Sequence, residues 1–281
     1  TIHTYRIRTM SSENGLKSGS NLEKILKAGH FAFTGELGPP RGANAADVRE
    51  KASHLKGVVD SVNITDNQTA VVRMSSWAAS LLVIQEGLEP NFQMVCRDRN
   101  RLAMQADILG AYAHGVRNML CLSGDHQKFG DHPQAKGVFD IDSMQLIGMV
   151  KNMRDDAKFL SGGDIDEPPK IFIGAAANPF ADPFEWRVHR LAKKVESGVD
   201  FIQTQCIYNM DRFREWVKQA NDMGLTEKVA ILAGVTPMKS VGMARYMKNN
   251  VPGMDVPDDL IKRLQGAGKG KVAEEGIRIA C

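Results

Sequence analysis

Apolar runs of strand length recur along this chain, separated by stretches of helical period. This alternation constrains the fold more than any other feature. The runs are HFAFTGE (30–36), VDSVNIT (59–65), NFQMVC (91–96), RNMLCLS (117–123), KIFIGAAA (170–177), DFIQTQC (200–206) and VAILAGV (229–235). They are short and rich in apolar residues, and polar residues or glycine often follow them, as expected of buried strands. Between them lie amphipathic segments. RNRLAMQADILGAYAHG places Leu102, Ala106, Leu109 and Ala113 on one face, and FEWRVHRLAKKVESG places Phe184, Val188, Leu191 and Val195 on one face. Each ends in glycine, a common helix stop.

Strand and helix in alternation, with no shift in composition and no long linker, describe a parallel sheet wrapped by helices. The expected fold is α/β, a (β/α)8 TIM barrel formed as a single domain over residues 1–281. A doubly wound open sheet is the alternative. Against it, no GxGxxG follows the first run, and the polar candidates fall after many different strands. The eighth strand is missing, because the chain stops inside an amphipathic stretch, KVAEEGIRIAC. Seven strands leave an edge whose backbone groups need partners. The expectation is therefore a shortened form of a longer chain, or a second polypeptide that covers the gap.

Composition removes several function classes. Net charge is +3, too small to point to a nucleic-acid or membrane-surface partner. No run of eighteen apolar residues marks a membrane span, and the N-terminus lacks the apolar core of a signal peptide. The spacing of Cys96, Cys121, Cys206 and Cys281 fits no zinc or iron–sulfur pattern, and a reduced, cytoplasmic protein is expected.

In a barrel the reactive groups sit at the C-terminal ends of strands. Those ends carry Glu36, Thr65, Asp125, Asn178 and Gln205. The set has two carboxylates, no nucleophile paired with a base and no cluster typical of a metal, so it suits a bound cofactor that carries the hard chemistry. Glu36 precedes Gly38, two prolines and Arg41 in GELGPPRG. Prolines fix the backbone and aim the preceding side chain. An equally good reading makes Glu36 a structural partner of Arg41. Gly124 permits close backbone approach to a ligand, with Asp125 at the strand tip, although an Asp-containing turn accounts for the pair as well. Gln205 both donates and accepts, which suits a heterocycle edge. NPF at 178–180 reads equally as a turn, Lys194 as a solvated lysine, and His126, Asp131 and His132 as solvated loop residues.

Taken in order, GELGPPR, LSGD (122–125), GAAANP (174–179) and KKVESGVDFIQTQCIY (193–208) resemble the methylenetetrahydrofolate reductase family, flavoproteins of (β/α)8 fold. The resemblance runs from about residue 23 to the end, and the A-N-P and I-Q-T-Q forms are closest to reductases of acetogens and related anaerobes. It implies flavin-dependent reduction of 5,10-methylenetetrahydrofolate to 5-methyltetrahydrofolate, a reaction of one-carbon metabolism. Glu36 is then the general acid that opens the five-membered ring. Asp125 tunes the flavin and favours the cationic iminium. Gln205 binds the pterin edge. Thr65, Leu122, Ser123, Gly124, Phe139, Ala177, Asn178 and Lys194 match flavin contacts.

The chain also departs from the enterobacterial type. Gln93 replaces a histidine, Ser123 an arginine, and Arg187 and Arg190 an acid and an amide that face the cofactor's outer half; Met247 stands where some members place an aromatic on the substrate. The two arginines leave the flavin open between FAD and FMN. The resemblance implies an electron donor that is either NADH or a separate iron–sulfur or zinc subunit, and a homo- or hetero-oligomer. The competing expectation is a flavin-binding electron-transfer or scaffold subunit without folate turnover.

Overall fold

A computed structural model describes residues 15–251, 253–268 and 270–281. All seven predicted runs form strands: β1 (Thr34–Leu37), β2 (Ser61–Ile64), β3 (Pro90–Val95), β4 (Asn118–Leu122), β5 (Phe172–Ala177), β6 (Phe201–Cys206) and β7 (Ala230–Gly234). Their order in the sheet is sequential, β1 to β7, and pairing is parallel from β1 through β5. Helices α1 (Asn21–Lys27), α2 (Ala45–Leu55), α3 (Ser76–Gln85), α4 (Arg101–Ala113), α5 (Ser143–Lys151), α6 (Trp186–Ser197), α7 (Met210–Asp222), α8 (Val241–Asn250), α9 (Asp258–Gly266) and α10 (Val272–Ala280) precede, link and follow them. Sequential parallel order with helical crossovers is the (β/α)8 barrel pattern, here with seven strands among the described residues.

The first strand is shorter than its sequence promises. HFAF lies outside the strand; β1 begins at Thr34, and the Phe31 and Phe33 rings meet at a 58° tilt in solvent, 80% and 61% exposed. The amide of Phe33 is instead held by the Asp60 carboxylate at 2.7 Å.

The chain divides into two compact units. The first comprises Thr1–Ala175 with Lys194–Phe201, the second Ala176–Lys193 with Ile202–Cys281. In the first, Leu37, Val62 and Ile64 pack under Val48 and Ala52 of α2 and Ala79 and Val83 of α3. Each such buried aliphatic contributes about 1.5–3 kcal/mol. Strand alternation then turns Glu36, Asn63 and Thr65 to the opposite, polar face. Helix α4 has the predicted period but the opposite phase. Met104, Ile108 and Ala111 are buried, whereas Leu102 is 75% exposed. The far ends of the strands are tied by charge. Asp200 accepts from Arg154 Nη1 at 2.5 Å and from the Ile173 amide at 2.9 Å, with Lys17 on its other oxygen. The Phe172 and Phe201 rings stack at 5.1 Å, and Phe201 lies so close over Gly174 that a Cβ there would sit 2.2 Å from the ring.

The second unit has its own core, built from Tyr208, Met238, Ala244, Val256, Ile261 and Leu264. In α6, Val188 and Leu191 are buried, as its pattern requires. The closing stretch forms α10, whose Gly276 approaches the Met238 carbonyl more closely than any side chain would allow.

Candidate active site

Within the first unit, the strand ends bring Glu36, Thr65, Gln93 and Leu122–Asp125 to one edge of β1–β4. Register pairs Glu36 with Asn63, Gln93 with Leu120 and Val95 with Leu122, and the Thr65 amide donates to Leu37 O at 3.3 Å. The GPPR segment behind Glu36 is pinned from three sides: Lys51 Nζ donates to Gly38 O, Arg73 Nη1 to Pro39 O, and the Met74 amide to Pro40 O. Arg41 does not pair with Glu36. Its guanidinium holds Asp131 at 2.7 Å, 90 residues away, which removes the structural reading of Glu36. Among the described residues Glu36 has no side-chain partner. Its carboxyl touches solvent, yet protein fills much of the space around it, and that desolvation raises its pKa above the ordinary carboxylate value.

Gly124 is required for a reason other than ligand access. Its φ is +88°, and a Cβ would lie 2.9 Å from Val95 Cβ, so it lets the end of β4 lie against β3. Asp125 accepts the Thr69 amide at 3.1 Å, while its own carbonyl accepts from Arg97. Ser123 Oγ meets Ser143 Oγ at 3.1 Å. Phe139 is 42% exposed and holds a left-handed backbone, φ +41°, with its amide on Cys96 O. Asp131 also accepts the Val72 amide and contacts His132, so its carboxylate is already engaged. Burial, with Asp142 nearby, pushes the Cys96 thiol up to about 12, so it stays protonated near neutral pH.

Sequence reasoning missed the groups that hold these loops together. Arg97 is 3% exposed. It binds Asp98 through two nitrogens at 2.7 Å and reaches the carbonyls of Asp125 and Asn67. Arg99 joins buried Asp66 to Asp107, and Asp66 also accepts the Val95 amide. The signal was present: TDN directly after β2 and CRDRN directly after β3 put opposite charges at adjacent strand ends. A concavity of about 940 Å³ on the outer side of α4, lined by Leu102, Ala106, Leu109, Val138 and Leu160, contains none of the sequence-selected residues.

In the second unit Gln205, the next-to-last residue of β6, is exposed and, among the described residues, without a side-chain partner. Asn178 is spent on its own turn, accepting the amides of Phe180 and Ala181; Ala177 precedes it, half-buried. Arg187 caps the carbonyls of Asp182 and Pro183, while Arg190 is exposed. Met247 belongs to that unit's core and lies 3.5 Å from the Tyr208 hydroxyl. Lys194, assigned to the first unit, is half-buried on α6.

Eight buried side-chain polar atoms lack a partner among the described residues, Thr65 Oγ1 and Gln203 Oε1 among them, a state that costs about 1–3 kcal/mol each. The Thr65 hydroxyl and the exposed Phe139 ring both belong to the first unit.

The sequence model of the family described as "Methylenetetrahydrofolate reductase" matches residues 21–281. Methylenetetrahydrofolate reductase 2 of Schizosaccharomyces pombe is 24% identical over 219 residues, 74% of this chain and 32% of that protein. A probable NADPH-dependent methylenetetrahydrofolate reductase of Caenorhabditis elegans is 24% identical over 87% of this chain and 36% of its own length. The chain thus spans about a third of the length of these relatives. Among solved structures, a Clostridium thermocellum protein that binds two copies of 5-methyl-5,6,7,8-tetrahydrofolic acid shares the fold, with TM-score 0.62, 13% identity and coverage of 92% of this chain and 84% of that one. A match that begins at the first residue of α1 and runs to the last residue of the sequence makes this chain a member of the methylenetetrahydrofolate reductase family.

Proposed function

We propose that this chain reduces 5,10-methylenetetrahydrofolate to 5-methyltetrahydrofolate with a bound flavin, and that Glu36 is its general acid. The observation that carries the reading is the state of Glu36: unpartnered, aimed by a pinned GPPR segment, and raised in pKa by desolvation. A carboxyl whose pKa is raised holds its proton to higher pH than an ordinary one, and can deliver it to the nitrogen that leaves when the five-membered ring opens. When bound, reduced flavin supplies the hydride for the exposed methylene carbon.

The chain's own residues then divide the work. Asp125 sets a negative charge beside the cationic iminium, and Arg97 and the Thr69 amide hold it there. Thr65, Gln93, Leu122, Ser123, Gly124 and Phe139 cradle the ring system from the first unit, and Lys194 answers its phosphate. Gln205, Met247, Ala177, Asn178, Arg187 and Arg190 belong to the second unit and keep the roles that the family resemblance implies for them. Electrons reach the flavin from NADH or from a separate subunit, and assay of the purified chain alone with NADH distinguishes the two.

Anaerobic addition of 5-methyltetrahydrofolate to the flavin-loaded protein tests the reading, because the reverse reaction bleaches the flavin. No bleaching would leave a flavin-binding subunit without folate chemistry. Glu36→Gln retains flavin binding and loses folate reduction by about 10²-fold or more; near-normal turnover in that variant would remove Glu36 from the role.

A further inference from the structure

Strand β6 carries two glutamines, and the family resemblance assigns a role to one of them. Alternation turns Phe201, Gln203 and Gln205 to one face of the strand and Ile202, Thr204 and Cys206 to the other. On the first face exposure rises toward the C-terminal end: Phe201 is buried, Gln203 half-buried and Gln205 exposed. That face opens at the strand end where a barrel takes its ligands. Gln203 stands one pleat, about 6.7 Å, inside Gln205.

The opposite face fixes this orientation. The Gly234 amide of β7 donates to Thr204 Oγ1 at 2.9 Å, and the same hydroxyl donates to Gln205 O at 2.9 Å. A Cβ on Gly234 would lie 2.5 Å from Thr204 O, so β7 sits tight against the backbone that carries both glutamines.

Gln203 Oε1 is shielded from solvent and accepts no hydrogen bond among the described residues. The other such side-chain atoms of the second unit, Trp216 Nε1 and Gln219 Oε1, lie on α7, away from the strand ends. An unmet buried acceptor lowers stability, and an apolar side chain of similar size avoids that loss. An unpaired amide also gives up no hydrogen bond when it turns toward a ligand.

We propose that Gln203 is a second substrate-binding residue, whose side-chain oxygen accepts a hydrogen bond from a ring N–H or amino group of the pterin. The inference rests on the reading of Gln205 as the glutamine at the pterin edge. The aminopyrimidinone edge of a pterin sets an oxygen acceptor beside ring N–H and amino donors. One amide meets the acceptor and an adjacent donor, and the remaining donor needs a further acceptor. Gln205 serves the first part of that edge and Gln203 the rest.

The test measures binding and stability separately. Tetrahydrofolate has the pterin edge and no methyl group for the flavin to oxidise. It is titrated calorimetrically, without oxygen and with excess flavin, into the natural protein, Gln203→Leu and Gln205→Leu. Thermal unfolding is followed without folate. Gln203→Leu is expected to raise Kd for tetrahydrofolate by about tenfold and to raise the melting temperature, since the unmet acceptor is gone, with flavin affinity unmoved. If leucine prevents folding, Gln203→Met, unbranched and close in length, carries the same expectation. A raised melting temperature with unchanged Kd makes the glutamine a tolerated defect and overturns the proposal. Weakened binding in Gln205→Leu alone overturns it and leaves the pterin on β6. Unchanged binding in Gln205→Leu removes the pterin from β6, and the proposal falls with that reading.

Discussion

Two glutamates of the first unit respond to folding in opposite directions, and their pH dependences separate them. Desolvation raises the Glu36 carboxyl above its ordinary 4.5. The native state therefore binds more protons than the unfolded chain above pH 4.5, and stability falls as pH rises through the folded value. Glu36→Gln should match the natural protein in denaturant midpoint at low pH and exceed it above that window. Glu23 is the reverse case. Burial pulls its pKa up, but the amides of Lys17 and Ser18, the Ser18 hydroxyl and Lys27 outweigh it and hold it at about 2. Its contribution is present above pH 4.5 and disappears as pH falls toward about 2. Glu23→Gln should cost roughly 3 kcal/mol or less at neutral pH, with the difference closing in acid urea titrations. The residues behind Glu36 mark it in the sequence as a candidate. The sequence reading did not single out Glu23: Ser20 caps α1 three residues before it, but its backbone partners come from a loop that no local pattern announces.

At the scale of elements, period was readable and phase was not. Helix α4 carries small and aliphatic residues all round, so Leu102, Ala106 and Leu109 matched a buried stripe as well as Met104, Ile108 and Ala111 did. Which stripe faces the sheet is decided by its neighbours. The strand ends behave similarly. CRDRN reads as polar loop, yet Arg97 is buried because three strand-end segments need its donors. Arg97→Met should cost about 3–5 kcal/mol, since it strands Asp98 and two carbonyls, and should loosen Asp125. Urea denaturation checks the first effect, and the flavin midpoint potential checks the second. Gly124→Ala should destabilise through the same contact by forcing φ +88° and a 2.9 Å approach to Val95.

For the molecule as a whole, sheet order followed from alternation alone, because short right-handed crossovers leave few other choices. The division into two compact units did not. Composition is uniform along the chain, and contact density has no one-residue signature. Nor did sequence disclose which polar strand-end residues stay unsatisfied, the Thr65 hydroxyl among them. A ligand that completes it stabilises the folded state by mass action, about 2.7 kcal/mol at a hundredfold excess over Kd. Thermal melts with FMN and FAD should therefore both rise, and Thr65→Val should reduce both shifts. An FMN advantage carried by Arg190 should shrink in 0.5 M salt (about fivefold above 0.1 M) as screening grows.

Gly174 carries a different kind of consequence. The Phe201 ring occupies the place where any other residue would put its Cβ, so every replacement meets the same obstacle whatever its chemistry. In a library of random variants under selection, position 174 should tolerate no substitution, while a change of Phe201 to a smaller side chain should restore alanine there. Intolerance at that site would measure the room between two strands and would carry no information about catalysis.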